Sequence, residues 1–397
     1  MILQESTLST RAANTAAWRA VLLEEPFRIF FPLGALGGLL GVFLWLAPHV
    51  GLGPPFVGFY HGLLQIQGFV MPFAVGFLMT VLPRFLEAQQ ARGWEIALSA
   101  VLLVGGGLSL YLGAWQIAEL GFMVLLLHLS VFALRRFAAR GDNPPPAFIL
   151  VGFALLCGLG GGLLLLFPPS GFVRLGQNLQ QQGIVLALVM AVGSYLGPRL
   201  LYGVKGFPET EGPAFRKKCW MYGAAGVLLL GSFAVEAGWA PVWGRLLRAL
   251  LVTVQLLAAV GIHRRPQTGR WHLYLLWLAF WSVPTGLWLA GSFPAYEIAM
   301  LHLTFAGGFA LLTLMVASRV VTGHCDLQDL WMRNAWSLLL PGLLLILAAA
   351  ARLAADLYPA AYLELLSGSS ALWLLGILLW VVVFVPKTAP WRVAPDE

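Results

Sequence analysis

The stretch LHLTFAGGFALLTLMVASRVVTGH, Leu301 to His324, sets two histidines at the ends of an almost wholly apolar run. No charged residue falls between His302 and Arg319. A helix of about 20 such residues crosses a hydrocarbon core of roughly 30 Å. Runs of the same kind recur along the chain, which has 397 residues, 59% of them hydrophobic and 10% charged. Soluble domains carry about 25% charged residues, because a water-facing surface needs them. The fold class is therefore all-α, a polytopic integral membrane protein.

Apolar windows bounded by Pro, Gly and charge clusters predict twelve spans, at 27–48, 57–82, 96–115, 119–137, 147–167, 179–201, 219–238, 242–262, 271–291, 296–321, 335–354 and 361–385. They form one transmembrane domain, 27–385, between a cytoplasmic or interfacial segment, 1–26, and a cytoplasmic tail, 386–397. The connections are too short for a soluble domain. The first 26 residues are polar and mixed in charge, so no cleaved leader is expected. All but four of the 24 basic residues (Arg174, Arg245, Arg248 and Arg352) fall on the side that holds both termini. That bias puts both termini in the cytoplasm. It also accounts for the net charge of +7 through anionic lipid, with no nucleic acid as partner. Three scattered cysteines make no disulfide frame, and no Cys-x-x-Cys-His occurs, which excludes covalently attached haem.

No charged residue is clearly needed mid-membrane, so the seven histidines carry the main chemical signal. The second and tenth spans both run inward. His61 lies about one turn into the second and His302 about two turns into the tenth, at a common depth near the outer surface. His324 is 22 residues beyond His302, or about 33 Å along a helix. Metal–nitrogen bonds are about 2 Å, so the two do not share one metal. His61 continues at helical spacing through Gln65, Gly68, Pro72 and Gly76; His302 continues through Ala306, Phe309 and Thr313. The sixth span adds Gln177, Asn178, Gln180, Gln181 and Gln182, with Arg174 just before it. A pocket between the second, sixth and tenth spans would offer His61 and His302 as metal ligands. Gln65 would supply an amide there, and Arg174 a cation for propionates. The plainer alternative is that each histidine bonds a neighbouring helix. His324 fits either a metal ligand or a cation at a helix C-terminus. His128, mid-span in the fourth helix, fits ligand and packing equally, and His49, His263 and His272 fall at interfaces. The sixteen tryptophans suit aromatic belts.

Four segments carry a resemblance. Pro26-Phe27-Arg28-Ile29-Phe30-Phe31, Gly76-Phe77-Leu78-Met79-Thr80-Val81-Leu82-Pro83 and Gly197-Pro198-Arg199 are three of them. The fourth is the opening stretch, with His302, Ser318-Arg319 and Gly323-His324. Together they resemble the NnrS family of twelve-helix, haem- and copper-containing bacterial membrane proteins tied to nitric oxide metabolism. The resemblance implies a multi-pass protein of the bacterial inner membrane that binds a b-type haem near the outer leaflet. One departure is plain. Where the family carries His-x-His-Glu-Met in the second span, alignment back from Gly76 gives His61, Leu63 and Leu64. One of three polar groups is kept, which puts a copper site in question but leaves a single axial haem ligand.

The function expected is that of an NnrS-like haem protein of the nitric oxide response, with nitric oxide or another diatomic as ligand. No residue demonstrates catalysis. The alternatives are a quinol-linked electron-transfer or anchor subunit of a respiratory complex, and a twelve-helix transporter. A haem–copper oxidase core needs histidines in the sixth and seventh spans, which have none.

Overall fold

The structure is a computed structural model that describes residues 17–45 and 57–392; Arg11 and His49 lie outside these. Among the described residues it is helical throughout, with no strand. Eleven helices are long and apolar enough to cross a membrane, and a twelfth, α1 (Phe27–Phe43), counts as a span with the short helix Ala17–Glu24, bent against it by 66°. In order they are α2 (Val57–Phe85), α3 (Gly93–Tyr111), α4 (Trp115–Ala138), α5 (Pro146–Leu166) and α6 (Val173–Tyr202). There follow α7 (Gly212–Gly238), α8 (Pro241–Val260), α9 (Trp271–Ser292), α10 (Pro294–His324), α11 (Trp336–Leu357) and α12 (Pro359–Lys387). Spans and helices agree in number and order, and the helices run past the apolar windows where polar residues continue them. Thus α7 starts at Gly212, with Pro213 in its first turn and Arg216, Lys217 and Lys218 inside it, because proline is tolerated there and the helix need not stop at the membrane surface.

The chain closes on itself. α12 packs against α1, the Trp18 and Trp391 rings meet at 6.3 Å, and an Arg28 Nη1 donates to the Thr388 carbonyl. Both described ends therefore lie on one face, as an even number of spans requires. Burial ranks the helices from centre to rim: 83% of the apolar window of α2 is buried and 72% of that of α10, against 28% for α3. α2 and α10 line a common cleft together with α1, α6 and α9. On the side of His302 toward His324, this partly open apolar cleft is lined by Val70, Phe77, Val189, Leu196, Phe280 and Leu312 among others.

Two local features shape this centre. At Gly37 of α1 a Cβ would fall 1.8 Å from the Gly68 carbonyl oxygen of α2, so only glycine permits that crossing. Four π-helical stretches also occur: Leu64–Val70 in α2, Leu179–Gly183 in α6, Leu256–Val260 in α8 and Leu303–Ala310 in α10. Such turns are rare and concentrate at functional sites. Three lie on the three central helices, two of them just beyond His61 and His302.

Candidate cofactor site

His61 and His302 are tethered alike. His61 Nδ1 is 2.8 Å from the Gly41 carbonyl of α1, and His302 Nδ1 is 2.7 Å from the Ile298 carbonyl one turn earlier. A carbonyl only accepts, so each Nδ1 carries the proton and each Nε2 keeps its lone pair. This is the arrangement by which proteins orient an imidazole toward a metal. Both rings lie deep among protein atoms but keep some accessible surface. Trp45 meets His61 edge-on at 5.7 Å, and Phe305 meets His302 at 6.1 Å.

The flanking polar groups differ from those expected. Gln65 packs its amide on Gly41, where an added Cβ would be 2.5 Å from Nε2. Both its amide atoms are buried without a partner among the described residues. Gln181 of α6 lies similarly over Gly62, next to His61. Arg174 is held in an ion pair by Glu297, five residues before His302. The cation within electrostatic reach of both imidazoles is instead Arg352 of α11, paired with Asp356 at 3.1 Å. Its signal in the sequence is an i,i+4 Arg–Asp pair near the end of an otherwise apolar span. The site thus offers two bare imidazole nitrogens, an orphaned amide and an arginine, a donor set that fits an iron porphyrin with anionic propionates.

Leu63 and Leu64, where the family carries His and Glu, are both about 1% exposed in a cluster with Leu44, Tyr60, Leu110 and Leu165. Among the described residues no three His, Cys, Asp or Glu side chains converge as a metal site.

His324 sits at the opposite end of α10 and is fully engaged. Its Nδ1 is 2.6 Å from Glu25 Oε1, Arg84 Nη1 is 3.4 Å from its Nε2, and its carbonyl accepts from Arg28 Nη2 at 3.2 Å. Phe27 packs edge-on against its ring at 5.3 Å, and the Phe27 amide donates to Thr80 Oγ1 at 3.3 Å. Three of the four segments that carry the resemblance meet here, joining α1, α2 and α10. His128 packs on Trp94 and lies 3.2 Å from the Glu95 carbonyl. His272, at the start of α9, is 1% exposed beneath Trp331, and His263 is exposed beside Arg264.

Buried ion pairs do occur near the ends of the apolar helices, where single charged residues of two helices meet. Glu95 of α3 takes Arg136 of α4 at 2.7 Å. Glu236 of α7 holds Arg248 and, at 3.1 Å, Arg245 of α8; Arg245 also reaches Glu297 at 2.9 Å. Glu119 of α4 is wholly buried and bonded only to glutamines.

Fold and site define a class: an all-α multi-pass membrane protein whose central helices present two oriented imidazoles. The chain belongs to the NnrS family; the family described as NnrS protein matches residues 21–390, nearly its whole length. A search of curated proteins finds no match.

Proposed function

We propose that this protein is an integral membrane haem protein of the nitric oxide response. In this reading a b-type haem lies toward the outer leaflet between α2, α6 and α10, in a bacterial inner membrane with both termini cytoplasmic. The observation that carries it is the matched tethering of His61 and His302, each with Nδ1 donating to a carbonyl and Nε2 bare. Family membership supports the link to nitric oxide. A haem held by two imidazoles is an electron carrier, and one held by a single imidazole binds a diatomic gas. The chain's own part is to fix both rings through the Gly41 and Ile298 carbonyls and to set Arg352 beside them as counter-charge for propionates. Arg174, through Glu297, steadies the start of α10. Copper has no role in this reading, because Leu63 and Leu64 supply no ligand.

A second reading, quinol-linked electron transfer, draws on the apolar cleft below the imidazoles. An apolar lining favours hydrocarbon over water, and an isoprenoid tail has that chemistry.

Optical spectra of the purified protein, oxidised and reduced, with and without nitric oxide, test the proposal. A Soret band is expected, disturbed in His61→Ala and in His302→Ala but not in His324→Ala. No Soret band after expression with ample haem would overturn it, and a spectrum lost only in His324→Ala would move the site to the cytoplasmic end. A quinol analogue that perturbs the reduced spectrum would favour the second reading.

A further inference from the structure

Glu119 stands apart from every other well-buried carboxylate in the bundle. Glu95, Glu236 and Glu297 each hold at least one arginine. Glu119, at 0% exposure, has none. Gln67 Nε2 of α2 donates to its Oε2 at 2.8 Å, and Gln180 Nε2 of α6 donates to its Oε1. The two amides are linked to each other, Gln67 Nε2 to Gln180 Oε1, at 3.4 Å. From α5 comes only Gly162, where a Cβ would meet Glu119 Oε1 at 2.7 Å; Met123, one turn on in α4, packs on the same glycine. On the α3 side Leu110 lies in an apolar cluster with Ala118 and Tyr60; the Tyr60 hydroxyl is spent on the Gly113 carbonyl at 2.7 Å. Among the described residues no Arg, Lys or His touches the carboxyl.

Both amides come from π-helical stretches, Leu64–Val70 and Leu179–Gly183, so each helix departs from its regular path where it serves Glu119. An independent observation lies beside it: Gln67, 5% exposed, has its Oε1 buried without a partner among the described residues. A half-turn of that amide exchanges donor for acceptor. As found, Gln67 donates N–H to a carboxylate; turned, it accepts O–H from a carboxyl. The residue therefore serves either protonation state. A buried carboxylate without a cation is costly, and the usual resolution is that it takes a proton. Ionisable groups kept within membrane spans commonly serve proton movement.

We infer that Glu119, Gln67 and Gln180 form a proton-binding site in the outer half of the bundle, loaded at neutral pH as an uncharged carboxyl. The carboxylate takes one proton from the aqueous phase, and the turn of the Gln67 amide that lets it accept the new O–H gives up its contact with Gln180 Oε1. The inference needs no haem. Gln181, next to Gln180, packs over Gly62 beside His61, so the proton lies on the same helix pair as the candidate cofactor site.

Infrared difference spectroscopy on the full chain in lipid nanodiscs tests it. The wild type is expected to show the C=O band of a protonated carboxyl at neutral pH, shifted by exchange into deuterium oxide and lost in Glu119→Gln. The band should weaken as pH is raised. Gln67→Leu, which keeps the carboxyl, should move the band and serves if the first variant does not fold. A band absent at every pH in folded wild type, or one that both variants leave unchanged, would overturn the inference. So would a band abolished by sodium or potassium at constant pH, which would make the site one for a metal cation. Failure of the haem reading would appear separately, as a missing Soret band.

Discussion

At the scale of single residues, His324 shows how a side chain can resemble a ligand and be a tie. Its partner Glu25 lies in the bend ahead of α1, outside the spans. Burial there pushes the carboxyl up, but hydrogen bonds and charge from His324 and Arg28 outweigh it and hold the group below its usual range. A lowered folded value stabilises the fold above the ordinary glutamate value, and that contribution is lost as pH falls through the folded value. Thermal stability should therefore drop more steeply below about pH 4.3 in wild type than in Glu25→Gln. Melting curves of both proteins in detergent across that range check this, and parallel curves would contradict it.

Helix contacts decide the next level. α1 crosses α2 where Gly37 meets Gly68, and the Gly41 carbonyl that tethers His61 lies one turn further along α1. Gly37→Ala must push the helices apart, because backbone does not yield as a flexible side chain does. The expected loss is about 1–3 kcal/mol, the usual penalty of overpacking, with the His61 tether loosened as well. Thermal denaturation measures the first effect. Gly105, where an added Cβ meets nothing within 4 Å, is the control: Gly105→Ala should be neutral or slightly stabilising.

In the molecule as a whole, charge is distributed by rule. Arg174, Arg245, Arg248 and Arg352, the four basic residues on the face away from the described ends, are each paired with a carboxylate. These pairs join α6, α7, α8 and α10 at that face. Removing one partner of such a buried pair strands the other. Glu236→Gln, which leaves Arg248 at 1% exposure without its anion, should destabilise by about 3–5 kcal/mol. Glu24→Gln, on a side chain 53% exposed, should change stability by no more than about 1 kcal/mol. Comparable losses in the two variants would refute the assignment of the outer network as a structural clasp.

Hydropathy fixes what lipid demands of a chain in isolation. Span length, span number and their order were therefore legible in the residues from Phe27 to Lys387, since each helix satisfies its own backbone whatever its neighbours do. The depth shared by His61 and His302 followed from counting along helices. Their tethers did not, because Gly41 is 20 residues from His61 and nothing local marks it as an acceptor. Glu119 stayed hidden for the same reason: one charge in an apolar helix acquires meaning only from the groups that other helices bring to it. Length and composition thus determined a twelve-span membrane protein, while packing between distant segments decided which polar groups are ties and which are left to bind.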